Sequence, residues 1–295
     1  MNEAPQTSQV VGPPCEACGR DTDPWQLGSK CVLWRCPSCG HVIRSLSDCH
    51  ARARTHPWGG CGAFDRVRGA LTLRSLRNHL PHGRLDVLEI GFGRGILLSA
   101  LLKEGHRVSG VDPGALERDI PVDIRRRATI HTRPIEEVEL PDGAYDLIYG
   151  IHVVEHLQDP EAVFAACGRA LRPGGLLYVM TPNAESRGLQ LFKEAWWNLE
   201  DPTHVRFFTP RSIGLMLRSA GFARGVVRTP IWDSQTLEIS SVLRLMGRHT
   251  GEHGVLSSRL MLPISAAMLP VAMLVRAAWP QLSPSMEVVA HLPGE

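Results

Sequence analysis

Between Leu85 and Glu104 an apolar run, LDVLEI, gives way to a turn with glycine at alternate positions, GFGRG, and then to a second apolar run, ILLSALLKE. The first run reads as a strand buried on both faces and the second as a helix, Ile96–Glu104, stopped by Gly105. A buried strand followed by a helix that doubles back against it is one arm of a parallel sheet, so most all-α and all-β folds are already excluded. The alternation continues. Strands are expected at Arg107–Val111, Ala128–Thr132 and Tyr145–Gly150. Asp159 caps a helix with Pro160 at its first position, running to Leu171. After the turn Arg172–Gly175 a further strand covers Leu176–Thr181. Thr209 and Pro210 start a helix, Arg211–Ala220, which Gly221 ends. The stretch SMEVVAHL, 285–292, alternates enough to be a final antiparallel edge strand.

Gly91, Gly93 and Gly95 let the backbone adopt positive φ and approach a ligand closely, while the next helix offers free N–H groups. A dinucleotide fingerprint would need its third glycine one residue later. Glu89, at the end of the strand, suits a ligand carrying positive charge better than a pyrophosphate. Asp112 ends the second strand, where a carboxylate can accept hydrogen bonds from ribose hydroxyls. The formal net charge of +2 implies no polyelectrolyte partner, and no nucleic acid is expected.

Ahead of this region stands CEACG…RCPSCG. Cys15, Cys18, Cys36 and Cys39 have the spacing of a tetrahedral zinc site, with Gly19 and Gly40 completing the tight turns. Four thiolates leave no open coordination position, so the zinc is expected to be structural and to supply folding energy. Cys31, Cys49, Cys61 and Cys167 match no second site and read as packing residues. Paired C-x-x-C motifs favour a reducing compartment, hence the cytoplasm. Four regions result: a disordered leader at 1–14, the zinc ribbon and linker at 15–61, the ligand-binding core at 62–230, and a helical insert with the edge strand at 231–295.

The motifs LEIGFGRG, GVDP, LPDGAYDLIYGIHVVEHLQDP and ALRPGGLLYVMTPN, in that order, resemble the class I S-adenosylmethionine-dependent methyltransferases over roughly residues 85–230. The resemblance implies a Rossmann-like α/β sheet of seven strands, mostly parallel with an antiparallel last strand. It places Glu89 near the amino-acid moiety of S-adenosyl-L-methionine, Gly91–Gly95 beneath it, Asp112 at the ribose, and Ile135 and Glu136 at the adenine edge. The zinc knuckle resembles a subset acting on sugars, lipids and other small metabolites. The expected acceptor is therefore a small molecule, a sugar or a lipid-linked compound.

The sulfonium methyl is already activated, so the protein needs in-line positioning and, for a hydroxyl acceptor, a base. Two clusters qualify. His152-Val-Val-Glu155-His156 follows the fourth strand; it could wall the pocket or hold a divalent ion, as a related set does in some quinone and RNA-end methyltransferases. His204, in DPTHVRFFTP behind Trp196-Trp197, sits in an expected aromatic lid. His204 is the expected base, with His156 nearer the methyl donor. Residues 260–275 carry no charge but are short for a membrane span and are interrupted by Pro263 and Pro270. They read as a helical insert, a dimer contact or a peripheral membrane contact, and the oligomeric state stays open. The contrasting reading is a zinc-ribbon binding module whose sheet domain is an inactive scaffold.

Overall fold

The computed structural model of the chain describes residues 12–50, 62–114, 120–223, 225–234, 236–247 and 261–294. Most of the expected leader and the 51–61 linker with Cys61 lie outside the described residues. In chain order the elements are β1 (Asp23–Gly28), β2 (Cys31–Arg35), β3 (Val42–Ile43), α1 (Gly62–Arg77), β4 (Asp86–Ile90), α2 (Ile96–Lys103), β5 (Arg107–Val111), α3 (Val122–Arg127), β6 (Thr129–His131) and β7 (Tyr145–Ile151). There follow α4 (Pro160–Ala170), β8 (Leu171–Pro182), α5 (Arg187–Phe192), β9 (Arg206–Phe207), α6 (Pro210–Ser219), β10 (Val226–Arg228), α7 (Leu237–Leu245), α8 (Met261–Ala278) and β11 (Ser285–His291).

Seven strands form the main sheet in the order β10-β11-β8-β7-β4-β5-β6. Pairing is parallel from β8 to β6 and antiparallel where β11 meets β8 and β10. The strands are apolar on both faces because helices cover both. On one face Leu88, Ile148 and Val179 pack with Phe164 and Cys167 of α4 and with Ile213 and Met216 of α6. On the other, Val87, Tyr149 and Tyr178 meet Leu76 of α1 and Leu98 and Leu101 of α2. Asp159 accepts a hydrogen bond from Ala162 N at 2.9 Å, and Thr209 and Ser212 form a reciprocal cap on α6. Such caps contribute about 1 kcal/mol each.

A second, four-stranded sheet runs β1-β2-β3-β9. Its first three strands belong to the cysteine ribbon, but β9 comes from the large body: Val42 pairs with Phe207 and Ile43 with Arg206. The ribbon and the body are thus sewn together by a shared sheet. Leu27, Leu33 and Phe207 pack there with Trp196, Trp197 and Leu199.

Several expectations change. The strand at 285–291 is antiparallel as expected but is no edge: it lies between β8 and β10, and β10 takes the edge. Trp196 and Trp197, expected in a lid, are 0% and 9% exposed and fill the ribbon–body core. Cys31 and Cys49 form a disulfide rather than packing as separate thiols, because the ribbon brings their backbones together as bridge partners. Cys167 does pack in the core. The expected turn Arg172–Gly175 lies inside β8, where Gly174 takes φ +74°. Pro263 and Pro270 do not divide the apolar stretch at 261–278, which is one helix with Pro270 inside it. Among the described residues no helix is long and apolar enough to cross a membrane.

Candidate active site

The glycine turn leaves β4 with Gly91 at φ +72°, Gly93 at +51° and Gly95 at +68°. Each lies in the left-handed region that only glycine enters at little cost. Two of the three also lack room for a side chain. A Cβ on Gly91 would stand 2.2 Å from Val153 Cγ2, and one on Gly95 would stand 2.5 Å from Ile124 Cδ1. A Cβ on Gly93 would meet nothing within 4 Å, so this glycine presents bare backbone to open space. Asp112 braces the turn: its carboxylate accepts from Gly93 N and from Gly114 N, both at 2.7 Å. Each oxygen retains a lone pair for a further donor.

Glu89 is 4% exposed, and Tyr149 donates its hydroxyl hydrogen to Oε2 at 2.8 Å. Burial pushes its carboxyl up to about 8; the Tyr149 and Leu98 hydrogen bonds oppose this, while the nearby Asp112 charge reinforces it. A buried carboxyl of this kind ionises readily only when a cation joins it. That is the chemistry of a site for a sulfonium or ammonium group, and Glu89, the three glycines and Asp112 fit S-adenosylmethionine. Ile135 is buried in the core, and Glu136 accepts from Gln158 N at 2.9 Å, in a short turn after β6.

The other half of the site follows β7. His152 takes φ +55°, rare for a non-glycine residue, and a single 3-10 turn, Val154–His156, comes after it. Val153, which abuts Gly91, joins this turn to the glycine loop. His152 lies between two carboxylates, with Nε2 3.0 Å from Asp233 Oδ2 and Nδ1 3.4 Å from Glu155 Oε1. Burial opposes its cation, but Asp233 and Glu155 outweigh burial and raise it to about 10. Asp233 and Glu155 thus favour the protonated form of His152.

Glu155, His156 and His204 converge instead, their ligand atoms all within 4.8 Å of one another. Glu155 is fully buried; Oε2 accepts from Thr181 Oγ1 at 3.0 Å, and Oε1 lies 3.4 Å from His152 Nδ1 and 3.9 Å from His204 Nε2. His204 Nδ1 faces Asn198 O at 2.8 Å, and His156 Nδ1 faces Thr203 O at 3.0 Å. A carbonyl oxygen only accepts, so both Nδ1 atoms carry hydrogen, and each neutral ring keeps its lone pair on Nε2. Burial and the neighbouring His156 depress His204 to about 4, against the pull of Asp201 and Glu155. A buried carboxylate oxygen beside two imidazole nitrogens is a donor set that could hold a divalent cation.

The two histidines expected from sequence are thus together, with ring centroids 4.7 Å apart. Of the residues expected to hold an ion, Glu155 and His156 converge with His204. Sequence reasoning passed over Thr181, Tyr149 and Asp233; no local pattern marks any of them.

In the ribbon, Cys15 and Cys39 Sγ lie 3.5 Å apart, as do Cys18 and Cys36, with Cys18 and Cys39 at 3.8 Å. Sulfurs around a tetrahedral zinc at 2.3 Å stand about 3.8 Å apart, so the four could hold that ion. Glu16, between the first two cysteines, accepts from Arg206 Nε at 2.8 Å and lies 3.2 Å from His41 Nε2. Burial works against its charge, but the Arg206 and His41 contacts prevail and hold it down to about 2.

Residues 46–225 match a family described as a methyltransferase domain. A ubiquinone biosynthesis O-methyltransferase of Chromobacterium violaceum is 31% identical over 169 residues, spanning 51% of this chain and 70% of that protein. A protein of the same name from Cereibacter sphaeroides is 30% identical over 192 residues, 57% of this chain and 74% of its own. An S-adenosylmethionine-dependent methyltransferase structure from Mesorhizobium loti superposes with a TM-score of 0.51 at 19% identity, covering 76% of this chain and 99% of that one. The [4+2]-cyclase SpnF does so with a TM-score of 0.51 at 17% identity, covering 81% and 85%. At these identities the structural likeness shows the fold alone.

Proposed function

The chain belongs to the methyltransferase-domain family, as a class I S-adenosylmethionine-dependent enzyme, and on that premise we propose that it methylates a hydroxyl oxygen of a small-molecule acceptor. The observation that carries the oxygen is the convergence of Glu155, His156 and His204 beside the glycine turn. The ubiquinone biosynthesis O-methyltransferases among its relatives support an aromatic or quinol-like hydroxyl. Glu89, Gly91, Gly93, Gly95 and Asp112 hold the methyl donor, with Ile135 and Glu136 at the adenine edge. Bound S-adenosylmethionine supplies a sulfonium-activated methyl group.

At the acceptor end the hydroxyl must lose its proton. A divalent cation held by Glu155, His156 and His204 would lower that hydroxyl's pKa and seat its oxygen. In the second reading His204 itself accepts the proton; its place facing Glu155 and Asp201 favours this, and its depressed basicity opposes it. Zinc in the four-cysteine ribbon is proposed as structural.

A sugar or lipid-linked acceptor is the finer alternative. For the latter, α8 exposes Ile264, Met268, Val271 and Val275 at helical spacing, with Trp279 beyond, a face suited to peripheral membrane contact. The four free ribbon thiols favour a cytoplasmic location, and the Cys31–Cys49 disulfide opposes it. The inactive-scaffold alternative finds no support, since the donor turn and its carboxylates are intact.

Transfer of labelled methyl from S-adenosylmethionine should be assayed against catechols, sugars and lipid-linked alcohols. His204→Ala should lower turnover by about 10²–10⁴-fold and leave donor affinity intact. Label found only on nitrogen or carbon acceptors would overturn the oxygen assignment.

A further inference from the structure

Arg44 follows β3 in the ribbon and is 3% exposed. Its guanidinium spans to the body and, among the described residues, donates only to backbone carbonyls. Nε reaches Cys49 O at 3.0 Å; one terminal nitrogen reaches Asp201 O at 2.7 Å and His204 O at 3.4 Å; the other reaches Leu199 O at 2.9 Å. Its own backbone N–H donates to Val205 O at 2.8 Å, and Val205 N–H donates to Glu155 O at 3.3 Å. One ribbon residue therefore touches His204 through its carbonyl and Glu155 through one intervening peptide.

A buried guanidinium is a costly way to fill this space, since an apolar side chain would need no desolvation. What the guanidinium offers is a flat fork that meets several carbonyls at fixed angles, which a lysine ammonium cannot reproduce. Three of the four carbonyls it gathers, those of Leu199, Asp201 and His204, belong to the strip carrying His204. The far end of the fork is fixed as well, because Cys49 is tied to Cys31 by the disulfide. Burial lowers the Arg44 pKa to about 10, which leaves it charged at neutral pH.

We propose that Arg44 is a positioning residue for methyl transfer, through which the ribbon holds His204 with Nε2 facing the carboxylates of Asp201 and Glu155, 3.4 and 3.9 Å away. This rests on reading Glu155, His156 and His204 as the acceptor-activating cluster. The ribbon then forms part of the active-site architecture instead of being an appendage, and Arg44 acts on the acceptor end while the donor end stands apart.

The test uses the full-length, zinc-loaded protein with Arg44→Met and Arg44→Lys. Long-range proton–nitrogen spectra of the histidines report the tautomer and Nδ1–H exchange of His204. In Arg44→Met that hydrogen should exchange about tenfold faster, the effect of weakening the bonds that seat it. His41, buried in the ribbon, should keep its signals, and zinc content and S-adenosylmethionine affinity should stay within about twofold. Arg44→Lys should recover part of the His204 protection. An unchanged His204 spectrum in Arg44→Met refutes the role of Arg44. So does loss of zinc and of the His41 signals in both variants alike, which would make Arg44 a general brace of the ribbon. Manganese titration of the wild type judges the cluster separately: absence of binding refutes the cation reading alone, whereas an unmoved His204 spectrum refutes the positioning role alone.

Discussion

Binding of S-adenosylmethionine should expel a proton from Glu89. The unliganded carboxyl is pushed up to about 8, mainly by burial, so at pH 7 about nine-tenths of the molecules carry it neutral. A sulfonium or ammonium brought alongside favours the anion and lowers that pKa by about 1–3 units or more. Binding and deprotonation are then linked, with a definite sign. Below pH 8 part of the binding energy is spent on ionising Glu89, so affinity rises with pH and flattens above 8. Where the bound carboxyl is lowered to about 5, affinity at pH 6 should be about fiftyfold weaker than at pH 8, with about nine-tenths of a proton leaving at pH 7; a drop only to about 7 gives about fivefold and about 0.4 proton. Calorimetry in buffers of different ionisation enthalpy measures both quantities. Glu89→Gln cannot ionise and should bind weakly with no slope between pH 6 and 8. Binding without proton release in the wild type, or an identical slope in Glu89→Gln, would refute the assignment. In the unliganded protein the same raised acid should reduce fold stability as pH rises from 4.5 to about 8, with no further loss above.

Asp112 accepts two backbone N–H bonds and would hold the ribose, so Asp112→Ala should weaken donor binding by about 1.5–3 kcal/mol in the same calorimeter. Freshly reduced protein should contain about one zinc per chain, lost when Cys36→Ser is introduced; elemental analysis without zinc would remove the ribbon assignment. Trp196 is fully buried between ribbon and body, so Trp196→Ala should cost about 3–5 kcal/mol of stability by denaturant titration. A loss below about 1 kcal/mol would mean that this core is not packed as described.

The donor half of the site was legible because it is local. Glu89, the glycines and Asp112 owe their places to strand ends and one tight turn, each carried by a few adjacent residues. The acceptor half is assembled across the chain. Glu155 Oε1 gains meaning only beside His204, and the Nδ1 hydrogens are assigned by Asn198 O and Thr203 O, whose positions no spacing reveals. The aromatic pair Trp196-Trp197 misled for a related reason. A tryptophan beside a pocket and a tryptophan under a docked ribbon look alike until β9 is seen to join the ribbon's sheet. Strand order was equally hidden: the alternation in residues 285–292 marks a strand, but nothing in it says that two neighbours flank it. Pro270 argued for a break that packing did not enforce, since a proline removes one hydrogen bond from a helix without preventing the rest.

The interior place of β11 sets an order of events during folding. Until residues 285–291 arrive, β8 offers an unpaired edge along Leu176–Pro182, and β10 has no partner at all. A growing chain on the ribosome could assemble β4 to β8 early but would carry that open, apolar edge through synthesis of the 102 residues that separate it from β11. Such late, long-range closure is slow. It also makes β8 the point where a nascent or truncated chain would capture a foreign strand, so aggregation during expression should respond to charges introduced along β8 and β11 rather than to the stability of the finished fold.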